Sequence, residues 1–353
     1  MLFYCFVRGP TLPGELEPGA DFNRPLKVMF IADTHILGWR EGHWFDKLRR
    51  EWQMRRSFQT SMTIHHPDVV FILGDLLDEG KWCPDEEFNY HVTRFKKMFA
   101  TPPDTELYFV SGNHDVGFHY RMTEPKLRRF EKAFSAPSVQ LLTIRDNLFV
   151  LVNSMALEGD GCLLCQEAEQ MLKKISQQLR CAQGKTGKTK DSKKCSSHPV
   201  KFKYSKPILL QHFPMYRPSD AMCKTLDSAP PAEKYIPFKP RWDSLSEEAS
   251  KQLFDWINPR LIVSAHTHHG CHRIHDDGTP EWTVASFSWR NKREPTFLLT
   301  VISNTDYAVS QCFLPSERTV ITLYISGGLI CLLSLFFKNK SLVRYNGSLG
   351  KAH

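Results

Sequence analysis

The chain has 353 residues, of which 41% are hydrophobic, and a formal net charge of +8. This length and composition suit one large globular domain, and the absence of internal repeats argues against a solenoid. The charge does not indicate a nucleic-acid partner, because eight lysines and one aspartate fall within residues 184–206 and the rest of the chain is close to neutral. This Lys-rich segment is typical of a flexible insert, with a role facing phosphate or lipid headgroups as the alternative.

Continuous apolar runs predict five buried parallel strands, at residues 26–32, 69–73, 107–110, 208–210 and 261–263. Amphipathic patterns predict helices at residues 46–61, 86–99, 125–134, 166–179 and 246–257. A capping box from Ser244 to Glu247 is expected to begin the last helix. Short strands at residues 271–275, 282–286, 297–302 and 307–313 are expected to complete a second sheet. The predicted fold class is α/β, a four-layer α/β/β/α sandwich of two mixed β-sheets flanked by helices.

A run of nineteen residues without a charge, at residues 319–337, predicts a C-terminal transmembrane helix. Basic residues are more frequent after this run than before it, so the tail at residues 338–353 is expected in the cytosol and the preceding domain in the lumen. Residues 1–25 are interpreted as an N-terminal segment. Its first seven residues are too few to span a bilayer and resemble the end of a membrane anchor.

Eight cysteines lie outside the apolar terminal segments, namely Cys83, Cys162, Cys165, Cys181, Cys195, Cys223, Cys271 and Cys312. An even set is compatible with disulfides in an oxidising compartment, which is the favoured interpretation. The four cysteines between Cys162 and Cys195 also allow a four-thiolate zinc site.

Five polar clusters follow the five predicted strands in a fixed order: Asp33-Thr-His35, Gly74-Asp75-Leu-Leu-Asp78, Gly112-Asn113-His114-Asp115, His212, and His266-Thr-His268. Ligands of open α/β sheets bind beyond the carboxyl ends of the strands, so these clusters are expected to converge. Their carboxylate, amide and imidazole donors suit two divalent metal ions that share a bridging carboxylate. The sequence therefore predicts a dinuclear metal site.

Two divalent ions activate a shared water and clamp phosphoryl oxygens, so the predicted reaction is hydrolysis of a phosphate ester. The leaving alkoxide needs a proton, which His114 is expected to donate while Asp78 orients its imidazole. Arg217 and Arg290 are candidates for gripping a phosphoryl oxygen. Trp289 is predicted either to stack on a sugar or line a lipid-glycan groove, or to pack in the core.

The order of the clusters resembles the calcineurin-like metallophosphoesterase superfamily over residues 27–313, and the domain is assigned to residues 26–314. The resemblance implies that Asp33, His35, Asp75 and His268 hold one metal and that Asp75, Asn113, His212 and His266 hold the other. Ala265 departs from the family pattern, which usually has glycine before the first histidine of the last cluster. At positive φ, alanine would strain that turn by about 1 kcal/mol or more.

Residues 42–54, 78–82, 117–120 and 286–291 resemble the endoplasmic-reticulum members that remove ethanolamine phosphate from GPI anchors. The resemblance implies two divalent ions, with Mn²⁺ favoured over Fe or Zn, and GPI-anchored proteins or their glycolipid as substrate. It also implies a membrane-anchored enzyme whose catalytic domain is lumenal. The expected locations are the ER membrane, ER exit sites, the ER–Golgi intermediate and the cis-Golgi. Cargo-sorting machinery is a further expected partner. Two alternatives remain, a metallophosphatase acting on a phosphoprotein or nucleotide, and a weakly active sorting receptor for GPI-anchored proteins.

Overall fold

A computed structural model of the protein describes residues 10–11, 24–157, 159–184, 195 and 200–349. Most of the N-terminal segment 1–25 and of the Lys-rich insert 184–206 therefore lies outside the described residues. The chain divides after Leu314 into two compact units.

The first sheet has five strands in the order β11-β10-β1-β2-β3. Their ranges are Leu26–Ile31 (β1), Val69–Leu73 (β2), Glu106–Val110 (β3), Thr296–Ile302 (β10) and Tyr307–Phe313 (β11). Strands β1, β2 and β3 are parallel, while β10 runs antiparallel to β1. The expectation that the last two strands belong to the second sheet is therefore wrong. They cover the edge of β1, which would otherwise leave its backbone groups unpaired.

The second sheet has six strands in the order β4-β5-β6-β7-β9-β8. Their ranges are Val139–Ile144 (β4), Asn147–Val152 (β5), Ile208–Gln211 (β6), Leu261–Ser264 (β7), Cys271–Ile274 (β8) and Pro280–Thr283 (β9). The sequence analysis missed the β4–β5 hairpin. Its two-residue turn is Arg145 and Asp146, both at positive φ (45° and 60°), instead of the Asn-Gly pair that usually marks such turns.

Successive residues of a strand point to opposite faces of its sheet, so their side chains pack in two different apolar layers. Phe30 and Phe71 point between the sheets, where Phe71 lies 5.0 Å from Phe149 of β5 by ring centroids. Their neighbours Met29 and Ile72 point the opposite way and pack with helical residues. The two sheets thus share one apolar layer, and their outer faces are covered by helices, as the four-layer sandwich requires.

The helices of this unit are Trp44–His65 (α1), Asp85–Met98 (α2), Asn113–Val116 (α3), Glu124–Phe134 (α4), Leu163–Ala182 (α5), Pro231–Lys234 (α6) and Glu247–Ile257 (α7). The predicted capping box at α7 is wrong. Ser246 is the N-cap and its Oγ accepts the Ala249 N–H at 3.1 Å, whereas the Ser244 hydroxyl bonds to the carbonyl of Leu245.

Three disulfides are present among the described cysteines: Cys162–Cys165, Cys181–Cys195 and Cys223–Cys271. The first two use all four cysteines of the alternative zinc site, so the disulfide interpretation is confirmed there. Cys83 is a buried free thiol, so the even count did not mean that every cysteine pairs within the set.

The C-terminal unit is one helix, Glu317–Leu349 (α8). Its stretch Glu317–Lys338 is 22 residues long and apolar enough to cross a membrane, and none of it is buried by protein. The helix therefore contains the predicted span at residues 319–337 and continues into the predicted tail.

Candidate metal centre

Five of the polar residues that follow the strands adopt a left-handed backbone conformation, although none is glycine. They are Asp33, His35, Asp75, His266 and His268, with φ between 43° and 76°. This conformation is uncommon for non-glycine residues, although Asn, Asp and His adopt it more readily, and it occurs at turns and at functional sites. Here it follows β1, β2 and β7, where it turns the chain sharply after the strand.

Two glycines allow these loops to approach one another closely. A Cβ at Gly74 would lie 2.4 Å from His212 Nδ1, and a Cβ at Gly112 would lie 2.2 Å from the amide nitrogen of Asp75. Both distances are too short for any side chain. The glycines of the second and third clusters are therefore needed to assemble the site.

One group of side chains consists of Asp33, His35, Asp75 and His268, whose candidate ligand atoms all lie within 4.8 Å of one another. The Nε2 atom of His35 is 3.2 Å from Nε2 of His268 and 3.4 Å from Asp75 Oδ2. All of these side chains are buried except His268, which is partly exposed. The four residues that the family resemblance assigned to one metal thus meet in space.

A second group shares Asp75 with the first and adds His212 and His266, again with candidate ligand atoms within 4.8 Å. The Nε2 atom of His212 is 3.5 Å from Asp75 Oδ2, 3.1 Å from Asn113 Oδ1 and 3.2 Å from His266 Nδ1. The structure therefore brings together all seven residues predicted from the sequence, with Asp75 at the junction of the two groups.

Three histidines use one ring nitrogen to hold their orientation and direct the other into the cluster. His212 donates from Nδ1 to the carbonyl of Leu73 at 2.7 Å, and His266 donates from Nε2 to the carbonyl of Trp242 at 2.8 Å. His35 donates from Nδ1 to Asp78 Oδ1 at 3.0 Å. Metal-ligating histidines are usually fixed in this way, because the bonded nitrogen sets which nitrogen is left to coordinate.

The buried and unpartnered oxygens of the cluster fit cations. Both carboxylate oxygens of Asp33 are buried without a hydrogen-bond partner among the described residues, and burial raises the pKa of Asp33 to about 8. Burial and the nearby His212 lower the pKa of His266 to about 3, which keeps that imidazole neutral. A buried carboxylate with no donor is costly unless a positive ion accompanies it. Together with thiolate-free oxygen and imidazole donors, this fits two divalent cations.

A charged rim, made of Asp78, Lys81, His114 and Arg290, lies on one side of this cluster. The Nδ1 atom of His114 is 3.0 Å from Asp78 Oδ1, and Arg290 Nη2 lies 2.7 Å from Asp78 Oδ2. The Lys81 ammonium is 3.3 Å from His114 Nδ1. The His114 side chain is 24% exposed and that of Asp78 only 1%, so His114 can reach a ligand while Asp78 supports it from behind.

Two neighbouring carboxylates favour a protonated His114, against burial and the opposing charge of Lys81. Burial alone would lower the pKa of His114, but the carboxylates of Asp75 and Asp78 outweigh it and raise the pKa above its ordinary value. Burial likewise opposes ionisation of Asp78, yet its hydrogen bonds with His114 and His35 hold its pKa well below the usual range. The pair is therefore arranged as an imidazolium and a carboxylate.

Two predicted substrate contacts are not placed where a substrate could reach them. Arg217 is 1% exposed, and its guanidinium bonds to Asp220 Oδ1 at 2.9 Å and to Thr283 Oγ1 at 3.1 Å. Trp289 is 7% exposed, which agrees with core packing and not with an open stacking surface. Arg217 and Trp289 are thus corrected to buried structural roles, while Arg290 does belong to the charged rim.

Ala265 does not strain its turn. It is buried and is not among the described residues with positive φ, and its N–H donates to the carbonyl of His212 at 2.8 Å. The next residue, His266, takes the left-handed conformation instead, with φ of 76°. The departure from the family's usual glycine therefore leaves the local geometry intact.

Asp115 has a supporting role that the sequence analysis did not assign. Its carboxylate accepts the Leu77 N–H and the Gly112 N–H, each at 2.9 Å. The bond from Leu77 ties the loop after β2 to the loop after β3, and the bond from Gly112 closes a turn within the loop after β3. The signal was present in the sequence, because Asp115 is the last residue of the third cluster.

Comparison with known proteins agrees with this geometry. The calcineurin-like phosphoesterase family matches residues 26–270, which is more than half of the chain. The chain belongs to this family. A protein named Metallophosphoesterase 1 from Gallus gallus is 51% identical over 335 residues, covering 94% of this chain and 83% of the relative. The protein of the same name from Danio rerio is 48% identical over 336 residues, covering 94% and 87%.

Among solved structures, a dimetal phosphatase from Danio rerio covers 82% of this chain and 99% of its own, with a TM-score of 0.47 and 11% identity. The sequence relationships decide the class of enzyme. The chain is a hydrolase acting on phosphate esters, and its family fold implies two divalent metal ions.

Proposed function

We propose that this chain removes side-chain ethanolamine phosphate from a mannose of GPI anchors, as a lumenal enzyme of the early secretory pathway. The observation that carries the reaction is the pair of donor groups that share Asp75. In the proposal, Mn²⁺ ions bind to Asp33, His35, Asp75 and His268 at one position and to Asp75, Asn113, His212 and His266 at the other.

When bound, the two ions lower the pKa of a coordinated water and neutralise charge on the phosphoryl oxygens. The protein supplies the proton for the leaving alkoxide. His114 holds it on Nε2, because Nδ1 is engaged by Asp78 at 3.0 Å. Arg290, paired with Asp78 and 22% exposed, offers a guanidinium to a phosphoryl oxygen.

Three features support a lipid-tethered substrate in the lumen. The stretch Glu317–Lys338 is suited to a membrane, and three disulfides favour an oxidising compartment. Three of the four segments that resemble GPI-remodelling enzymes lie at the metal cluster: residues 78–82 and 286–291 carry three of the four rim residues, and Phe118 in residues 117–120 lies 6.5 Å from His266 by ring centroids.

The test is the GPI glycan of cells that lack this protein. We expect released glycans to keep a side-chain ethanolamine phosphate by mass spectrometry, and we expect wild-type protein but not Asp75→Asn to restore its removal. Glycans unchanged by loss of the protein would contradict the proposed substrate. Purified protein that hydrolyses phosphomonoesters far better than diesters would favour a metallophosphatase, and bound metal without hydrolysis would favour the sorting receptor.

A further inference from the structure

An aromatic platform of Phe118, Tyr120 and Trp242 lies beside the metal cluster, on the side of His266. The rings of Phe118 and Trp242 stack with centroids 4.3 Å apart and an interplanar angle of 14°. Tyr120 lies 6.1 Å from Trp242 at 17° and 6.3 Å from Phe118 at 8°. The three rings are therefore nearly parallel, although they come from loops more than a hundred residues apart in sequence.

The platform is open on its outer side. Tyr120 is 61% exposed and Trp242 is 44% exposed, while Phe118 is partly buried. Exposed aromatic surface next to a catalytic centre is suited to a binding site, because a ligand can cover ring faces that otherwise contact water.

The platform is joined directly to the second donor group. The backbone carbonyl of Trp242 accepts the hydrogen bond from His266 Nε2 at 2.8 Å, and the Phe118 ring meets the His266 ring edge-on at 6.5 Å. The platform therefore borders the donor group at which a substrate's phosphate would be held.

The loop that carries Trp242 is held in a defined shape. Arg241 has a left-handed φ of 69°, and its N–H donates to the carbonyl of Ser244 at 2.7 Å. The Lys239 N–H donates to Asp243 Oδ2 at 2.7 Å. At the base of the loop, the buried Arg217 guanidinium lies 5.3 Å above the Phe238 ring. Arg217 thus contacts Phe238 near the start of this loop instead of contacting phosphate.

We propose that this aromatic platform binds the pyranose ring of the sugar that carries the scissile phosphate, an inference that rests on the proposed function. One face of a hexopyranose presents C–H groups that pack on flat rings, and its rim presents hydroxyls. Trp and Tyr match both, since each offers a ring face and a polar N–H or O–H at its edge. The platform therefore selects a sugar ester over an acyclic ester with the same phosphate.

The experiment compares two diesters with the full-length protein in detergent micelles. Both carry phosphoethanolamine, one on methyl α-D-mannopyranoside and the other on 2-methoxyethanol. We expect Trp242→Ala to lower kcat/KM for the sugar diester relative to the acyclic diester by about tenfold or more. Trp242→Phe keeps a ring and should hold that ratio within about threefold. Trp44→Ala, which removes an exposed Trp (67%) from α1, is the matched control and should not change the ratio.

Binding of methyl α-D-mannopyranoside, followed by saturation-transfer NMR, separates this inference from the proposed function. Wild type should give a signal that Trp242→Ala loses and Trp44→Ala keeps. A ratio of kcat/KM unchanged by Trp242→Ala, or diester hydrolysis without detectable sugar binding, would overturn the platform alone. Sugar binding that depends on Trp242 without hydrolysis of either diester would support the platform and overturn the proposed function. Metal content measured for each variant excludes an indirect effect through His266.

Discussion

The two sides of the metal cluster differ in chemistry. On one side the charged rim places His114, Asp78 and Arg290 in contact, with Asp78 almost fully buried. On the other side the aromatic platform presents Trp242 and Tyr120 as exposed rings, and His266 bonds to the backbone carbonyl of Trp242. The difference indicates a division of tasks: the charged rim supplies the proton for the departing sugar oxygen and binds the phosphoryl charge, and the platform packs against the ring of the same sugar.

The largest loss of activity is expected for a substitution of Asp75, because both donor groups share this residue. Asp75→Asn keeps the shape of the side chain but removes the carboxylate charge that both donor groups share, so kcat should fall by about a thousandfold or more for every ester. The measurement is steady-state hydrolysis of the sugar and acyclic diesters. As a control, Asp160→Asn changes an exposed carboxylate that bonds to His119, and it should keep most of the activity. Activity retained by Asp75→Asn within tenfold would contradict the shared role.

His114→Ala removes the proposed proton donor of the charged rim and should slow esters to an extent that depends on their leaving group. Loss of a general acid costs about 10²–10⁴-fold, and the cost is greatest for alkyl leaving groups, which need a proton. We therefore expect alkyl diesters to slow far more than p-nitrophenyl diesters, whose leaving group departs as an anion. Metal content should stay near that of wild type, because His114 is outside both donor groups that share Asp75. Equal slowing of both kinds of ester would show that His114 does not donate the proton.

Arg217→Leu should affect stability and not phosphate binding. Arg217 and Asp220 are both buried and joined at 2.8 Å, so removing the cation leaves a buried carboxylate without its partner. Breaking a buried ion pair from one side costs about 3–5 kcal/mol of unfolding free energy. Arg128→Leu is the control, because Arg128 lies at the surface and each of its ion pairs with Glu124, Glu131 and Glu167 is expected to contribute at most about 1 kcal/mol. Denaturant titration measures both. A raised KM for small diesters with unchanged stability would restore Arg217 as a substrate contact.

The pH dependence of alkyl diester hydrolysis tests the charged rim through the smallest effect that we expect. Because the pKa of His114 is raised above its ordinary value, its acid form persists above pH 6.5, and hydrolysis of alkyl diesters falls as pH rises through the raised pKa. Asp78→Asn removes the carboxylate that bonds to Nδ1, so the alkaline limb of log kcat against pH should move to lower pH. A limb that stays in place, or moves up, would mean that another group controls it.

The sequence was most informative at the ends of the strands. Each ligand cluster is short, lies directly after an apolar run and contains donors that divalent metals prefer, so position and chemistry pointed to one site. The carboxyl ends of β1, β2 and β3 in one sheet and of β6 and β7 in the other do meet there. At β1, β2 and β7 the cluster residues themselves make the turn that ends the strand, with Asp33, Asp75 and His266 at positive φ.

The sequence was least informative about contacts that depend on packing between distant parts of the chain. Nothing local shows that Arg217 pairs with Asp220 in the core, or that β10 returns to the edge of β1. Trp242 lies in an irregular loop with no periodicity, and its meeting with Phe118 depends on how two sheets bring their loops together. Exposed rings on separate loops become a binding surface only in the folded chain.

The metal content of the purified protein is the most direct test of whether two divalent ions share Asp75. Elemental analysis should find two divalent ions per wild-type chain after removal of free metal, and clearly fewer in Asp75→Asn with unchanged thermal unfolding. Removal of the ions with a chelator should abolish diester hydrolysis, and Mn²⁺ should restore it. A wild-type chain that is fully active with no bound ion, or an Asp75→Asn chain that keeps both ions, would contradict the account.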